Sequence, residues 1–211
     1  RARDFSEFDL DSFRSKNLQS NSMAFTLPHR KLGKTDLEVS IPALGAAPIA
    51  DLYEIIPEKK AIETLLTAIH GGVTLLATSP LYGLGLSELR VGAALRQAPQ
   101  ESVQISTKVG RVTDPFTPPE SRQVVCGGLD HSVSYDYSYD GVMRSLEQSL
   151  LRLGVNRIDL ALVHDLDPWT HGDSYGAHYT TAMEGAVPAL RELKSQGVIR
   201  AFGAGLNNAE A

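Results

Sequence analysis

The sequence predicts an α/β fold in which parallel strands alternate with helices along the chain. Short apolar or β-branched runs bounded by turn residues recur down the sequence. Each is followed by a stretch in which apolar residues return every three or four positions. The strand–loop–helix unit repeats at roughly 30–45 residues, an alternation that gives parallel strands joined by right-handed crossovers. The clearest instance is GVTLLATSPLYGLGLSE, from Gly72 to Glu88. Val73 to Ala77 reads as a short buried strand. Ser79-Pro80 ends it, because proline has no N–H for a ladder bond, and Gly83 and Gly85 turn the chain into a helix from Leu86 to Gln97. Tyr82 is thereby expected just past the C-terminal end of a parallel strand.

The other elements follow in order. Residues 1–22 are polar and mixed in charge, with no continuous apolar stretch of a secretory signal, and Met23 reads as a natural start. They are expected to form a mobile leader or tail ahead of one domain at 23–211; the competing reading is a short helix that docks Phe5, Phe8, Leu10 and Phe13 on the domain. Arg30 to Ser40 reads as a β-hairpin turning at Lys34-Thr35-Asp36, and Ile41 to Ala46 as the first strand of the repeat. Pro57 to His70 has the helical period, with Ile62, Leu65, Leu66 and Ile69 on one face and a proline suited to the first turn. Ser102 to Val109 is the third strand, with Lys108 at its C-terminal end. Arg111 to Tyr137, rich in Pro, Ser and Gly, reads as a long loop, and a loop of that length inside a compact domain is usually functional. Gly141 to Leu153 is a helix closed by Gly154, and Arg157 to His164 is the fourth strand. Asp165 to Tyr179 is a loop, Ala182 to Gln196 a helix closed by Gly197, and Ile199 to Leu206 the fifth strand.

The Gly72–Glu88 stretch resembles the aldo-keto reductases, in the branch near D-threo-aldose 1-dehydrogenase and the L-fucose and L-galactose dehydrogenases. The matching segment there is close to F-D-T-A-P-L-Y-G-x-G-x-S-E. The resemblance runs from about Arg30 to the C-terminus and implies a (β/α)8 barrel of the TIM type, of which this chain carries about five of the eight strand–helix units. It implies NAD(P)(H) as cofactor and a small-molecule carbonyl or sugar as substrate. On that reading the units holding most of the cofactor's phosphate and adenine contacts are missing, and the open edges at Ile41–Ala46 and Ile199–Leu206 predict self-association.

Reducing a carbonyl with a nicotinamide requires a hydride at carbon and a proton at oxygen. Tyrosine, with a pKa near 10, is a sluggish acid unless a neighbouring ammonium stabilises the phenolate. A histidine can hydrogen-bond the substrate oxygen and help to place it. The resemblance gives these tasks to residues at the ends of strands two, three and four, which here are Tyr82, Lys108 and His164. Each has a plainer reading, as a packing tyrosine, a solvated strand end and a core histidine. The family aspartate that pairs with the lysine is absent: its position is Ala77. Lys108 is then expected to be a partly buried ammonium without its partner, and to lower its own pKa. Asp165 is a conceivable substitute, but strand parity points it elsewhere. Asn207 aligns loosely with an asparagine that contacts the nicotinamide carboxamide. Gly83-Leu84-Gly85 is not a dinucleotide fingerprint, lacking the third glycine. His171 and His178 lack the partner spacing of a metal site, so no metal is expected.

Composition sets the outer limits. The 211 residues are 42% hydrophobic and 21% charged, an ordinary globular balance with one substantial core. Net charge is −5 with no basic stripe, against nucleic acid as partner, and no apolar run approaches a membrane span. Cys126 is the only cysteine, so no internal disulfide can form, which fits a cytoplasmic protein. Two functions are expected from different classes. One is an NAD(P)-dependent oxidoreductase impaired by Ala77 and by truncation; the other is a non-catalytic partial barrel, a pseudoenzyme or a partner-binding fragment.

Overall fold

The computed structural model describes residues 26–98, 103–116 and 126–208, and the expected leader at 1–22 lies outside them. A hairpin opens the described chain: β1 (His29–Lys31) and β2 (Glu38–Ser40) pair antiparallel, His29 opposite Ser40. Then come β3 (Leu44–Gly45), α1 (Glu58–His70), β4 (Leu75–Ala77), α2 (Leu86–Leu95) and β5 (Gln104–Val109). β6 (Arg111–Asp114) and β7 (Ser132–Tyr135) make a second antiparallel hairpin. It is followed by α3 (Tyr139–Leu153), β8 (Ile158–His164), α4 (Pro168–His171), α5 (Tyr175–Thr181), α6 (Val187–Ser195) and β9 (Ile199–Gly205).

The parallel sheet has the order β3-β4-β5-β8-β9, sequential as the repeat predicts. The core lies between one face of this sheet and the helices. Leu76, Ile105, Ala161 and Val163 from the strands meet Leu65, Val91, Leu146, Leu153, Leu190 and Leu193 from the helices, all buried. Alternation sends Ala77, Ser106, Lys108, Leu162 and His164 to the opposite, inner face, where the register aligns Ala77 with Ser106 and Lys108 with Leu162. An aspartate at 77 would therefore stand on the same face as the Lys108 side chain, one row below it.

Three expectations need correction. The first strand is Leu44–Gly45, not Ile41–Ala46. The Ile41 N–H is spent on the Pro28 carbonyl, extending the β1–β2 hairpin, and Pro42 has no N–H to give. The segment Arg111–Tyr137 is not loop throughout, since it contains the β6–β7 hairpin. α3 anchors that hairpin: Gln148 bonds both the N–H and the carbonyl of Thr113 at 3.0 Å, and Ser145 donates to the Arg111 carbonyl at 2.8 Å. The segment Asp165–Tyr179 contains α4 and the first five residues of α5. The Asp167 carboxylate caps α4 by accepting from the Thr170 N–H at 2.8 Å.

Gly110 joins β5 to β6 at φ 93°, and a Cβ there would lie 2.4 Å from the Tyr137 ring. Only glycine combines that backbone with that contact. We expect Gly110→Ala to lower unfolding stability in urea by about 1–3 kcal/mol, from strain and overpacking together; an unchanged midpoint would mean that the Tyr137 contact is not maintained in solution.

Candidate active site

Tyr82 follows β4 and begins a tight turn. Its N–H bonds the Ser79 carbonyl at 3.1 Å, and Gly83 takes φ 59° in a place where a Cβ would lie 2.5 Å from the Ala50 carbonyl oxygen. The Tyr82 ring is half-buried. Lys108 ends β5 and reaches Tyr82 from the next strand: its Nζ lies 4.7 Å from the ring centroid and donates to the Thr78 carbonyl at 2.9 Å. His164 ends β8, with its ring 6.1 Å from that of Tyr82 in an edge-to-face arrangement. The three sequence-predicted residues therefore meet at the C-terminal ends of three adjacent strands, where a parallel barrel carries its chemistry. The fourth, Asn207, lies just past β9 and is exposed. Its Nδ2 donates to Asp165 Oδ1 at 3.0 Å and to Asp167 Oδ2 at 3.2 Å.

The protonation states follow from burial. Burial pulls the Lys108 amine down to about 8, against the attraction of Asp165 and Glu88, and Arg111 pushes the same way as burial. Burial raises the Tyr82 hydroxyl above the ordinary tyrosine value; Asp165 adds to this and Arg111 opposes it. The lysine therefore loses its proton before the tyrosine does, and no ammonium remains to stabilise the phenolate when it forms. His164 is pulled down to about 2 by burial and by the positive charges of Arg111 and Lys108, so its ring is neutral. Its tautomer is favoured by Asp165. Nε2 lies 3.5 Å from Asp165 Oδ2, an oxygen that can only accept, so the hydrogen on Nε2 is preferred and Nδ1 is left to accept from the Ser79 hydroxyl at 3.2 Å. The Nε2 contact is long and not an ion pair, since the ring is uncharged.

Several residues at this mouth were not singled out from sequence. Ser79 is one. Arg111, buried, donates to the Tyr135 hydroxyl and pairs with Asp165 Oδ2, both at 2.7 Å. Tyr137 donates its hydroxyl to the His164 carbonyl at 2.7 Å. The parity argument for Asp165 fails because its φ is +50°, which breaks the strand alternation and returns the carboxylate to the mouth. The nearby rings of His171 and His178 are 4.2 Å apart, and Tyr137 bonds His171 Nε2 at 2.9 Å. Among the described residues, no group of three or more His, Cys, Asp and Glu is placed to hold a metal ion, and no helix is long and apolar enough to cross a membrane.

Residues 43–211 match the model of the aldo/keto reductase family. The chain belongs to that family. It is 39% identical over 190 residues to pyridoxal 4-dehydrogenase of Microbacterium luteolum, covering 84% of this chain and 55% of that protein. It is 35% identical over 179 residues to D-threo-aldose 1-dehydrogenase of a Pseudomonas species, covering 79% of this chain and 50% of that protein. Among solved structures, an aldo-keto reductase from Bacillus halodurans in its holo form superposes with a TM-score of 0.65 at 27% identity, over 86% of this chain and 51% of that one. The chain thus spans about half the length of the curated relatives it matches, and its five-stranded parallel sheet belongs to the barrel of this family.

The depressed lysine has a measurable sign. Unfolding releases Lys108 to its ordinary value of 10.5, so between about 8 and 10.5 the unfolded state binds more protons and stability rises with pH. Below that window the full cost of charging the buried amine is present, up to about 3 kcal/mol. We expect Lys108→Met to be more stable than the parent at neutral pH, with the gain shrinking as pH rises through the window. A gain independent of pH, in denaturation curves taken across it, would contradict the buried ammonium.

Proposed function

We propose that this chain carries the acid–base end of an NAD(P)-dependent oxidoreductase acting on sugars, small aldehydes or lactols, weakened by the alanine at 77. The observation that carries the reading is the convergence of Tyr82, Lys108 and His164 at one strand-end mouth, in a chain of this family. When bound, a nicotinamide cofactor supplies or accepts the hydride. Asn207 fits its carboxamide: Nδ2 is spent on Asp165 and Asp167, which leaves the side-chain carbonyl to accept from a primary amide. Tyr82 would exchange the proton with the substrate oxygen, and His164, neutral and protonated on Nε2, would donate a hydrogen bond to the same oxygen.

One observation favours the second reading, a non-catalytic partial barrel. Lys108 gives up its proton before Tyr82, so the ammonium cannot help the tyrosine in the order the chemistry needs. A single general acid–base group is worth about 10²–10⁴-fold in rate. The two readings separate in an assay at 340 nm with NAD(P)+ and an aldose or pyridoxal, run on a chain extended through eight strand–helix units. Under the first reading Ala77→Asp raises kcat by about 10²-fold or more and Tyr82→Phe abolishes turnover; if neither change alters the rate, the reductase reading fails.

Assembly is proposed on the sheet edges. Among the described residues, β3 and β9 each pair on one side only within the sheet. We expect the 211-residue chain by itself to self-associate through these edges; light scattering that shows a monomer at high concentration would contradict this.

A further inference from the structure

Asp167 is a fully buried carboxylate just past the end of β8. Burying a carboxylate is costly unless its oxygens are hydrogen-bonded. Here neutral donors from two elements meet it. Oδ1 accepts from the Thr170 N–H at 2.8 Å and so caps α4. Oδ2 accepts from the Asn207 N–H at 2.9 Å and from Asn207 Nδ2 at 3.2 Å. One side chain thus ties the start of α4 to the residue just past β9.

Asn207 is exposed, yet its side chain is not free to turn. Nδ2 carries two hydrogens, and two carboxylates receive them: Asp165 Oδ1 at 3.0 Å and Asp167 Oδ2 at 3.2 Å. Thr170 Oγ1 lies further off, at 3.4 Å. An ionised carboxylate can only accept, so the amide nitrogen must face this pair. A flipped amide would set its carbonyl oxygen against two carboxylate oxygens and lose both bonds. Neither carboxylate is free to follow the amide. Asp165 is held by Arg111 at 2.7 Å and Asp167 by its cap. Asn207 Oδ1 is therefore turned away from both acids.

We propose that Asp167 is a positioning residue for Asn207: it fixes the main chain there and, with Asp165 taking the second amide hydrogen, presents the Asn207 carbonyl as a free acceptor. The use of that acceptor rests on the reductase reading, in which Asn207 meets the nicotinamide carboxamide. The orientation itself can be measured without cofactor or turnover. Asp167→Asn separates this role from capping. Asparagine is as good an N-cap as aspartate, so its oxygen still accepts from the Thr170 N–H. Its amide nitrogen then stands where Oδ2 stood, and offers hydrogens to two donors of Asn207. The cap survives and the hold on Asn207 does not.

The test is hydrogen exchange with water read by NMR, in the whole 211-residue chain labelled with 15N in asparagine and threonine. Asn207→Ala assigns the Asn207 signals and Thr170→Ser that of the Thr170 N–H. In the parent, the Asn207 N–H and both Nδ2 hydrogens are expected to exchange slowly. Asp167→Asn should speed the Asn207 N–H and one Nδ2 hydrogen by about tenfold or more, the loss of a hydrogen bond to a charged group, and leave the Thr170 N–H unchanged. Asp167→Ser, which also caps a helix but has one oxygen, makes the same measurement if the asparagine variant does not fold. Asn207 signals that exchange freely in the parent, or that neither variant moves, overturn the proposal. An equal loss at Thr170 in both variants means that Asp167 serves only the fold, and overturns it too. NADH or NADPH added to the parent tests the other reading. If Asp167→Asn releases Asn207 but neither nicotinamide shifts its signals, the proposal stands and Asn207 fails as the carboxamide ligand; signals shifted by cofactor but unmoved by Asp167→Asn are the reverse result.

Discussion

A lysine amine buried at a strand end must find negative charge or lose its proton, and the mouth of this sheet is arranged around that constraint. Lys108 has a carbonyl at 2.9 Å and the face of Tyr82 at 4.7 Å. A cation–π contact is worth about 0.5–2 kcal/mol. Desolvating an ion in a protein costs several kcal/mol. The attraction falls short, so the amine titrates near 8, low for lysine but still charged at neutral pH. Nearby charges act on this balance: Asp165 favours the ammonium and Arg111 disfavours it, while burial, helped by Arg111, keeps His164 neutral.

That arrangement is carried by elements outside the repeating units. The β6–β7 hairpin brings Arg111 and Tyr135 over the strand ends, and it can do so only because Gly110 turns sharply against the Tyr137 ring. α3 then fixes the hairpin through Ser145 and Gln148. Tyr137 closes the circuit by bonding the His164 carbonyl, while Ser79 holds the His164 ring. His164 is thus restrained at both backbone and side chain by residues from two different units. Burial of its ring is tolerable because the ring is neutral and its Nδ1 is satisfied.

The parallel sheet, its strand order and the meeting of Tyr82, Lys108 and His164 were legible from sequence, since strand and helix periods are local signals and strand ends converge in any parallel α/β repeat. The rest was lost for identifiable reasons. Pro42 and the extended hairpin shorten β3, a competition between two pairings that composition does not rank. The β7 segment, Ser132 to Tyr135, is polar enough to read as loop. Asp165 was assigned to the wrong face because alternation assumes an unbroken strand, and nothing in the residue type announces a positive φ for an aspartate that only its neighbours can hold in place. Ser79 was read as a strand stop, while its hydroxyl bonds a ring that is distant in the chain.

Two departures from the family pattern on one strand end act in the same direction. The motif that this stretch resembles has aspartate and alanine where this chain has Ala77 and Ser79. The first change removes a carboxylate from the lysine, and the second adds a hydroxyl that bonds the histidine. Polarity has in effect moved along the strand from Lys108 toward His164. A carboxylate at 77 would favour a charged lysine beside an acidic tyrosine, a site built to transfer a proton. The Ser79 hydroxyl instead satisfies Nδ1 of an imidazole that burial keeps neutral, a site that can polarise an oxygen by donating a hydrogen bond from Nε2. Because the tyrosine is raised and the lysine is lowered, the proton that leaves most readily at this mouth belongs to Lys108. A carboxylate at residue 77 would bear directly on that order, because it would stand on the same face as the Lys108 side chain.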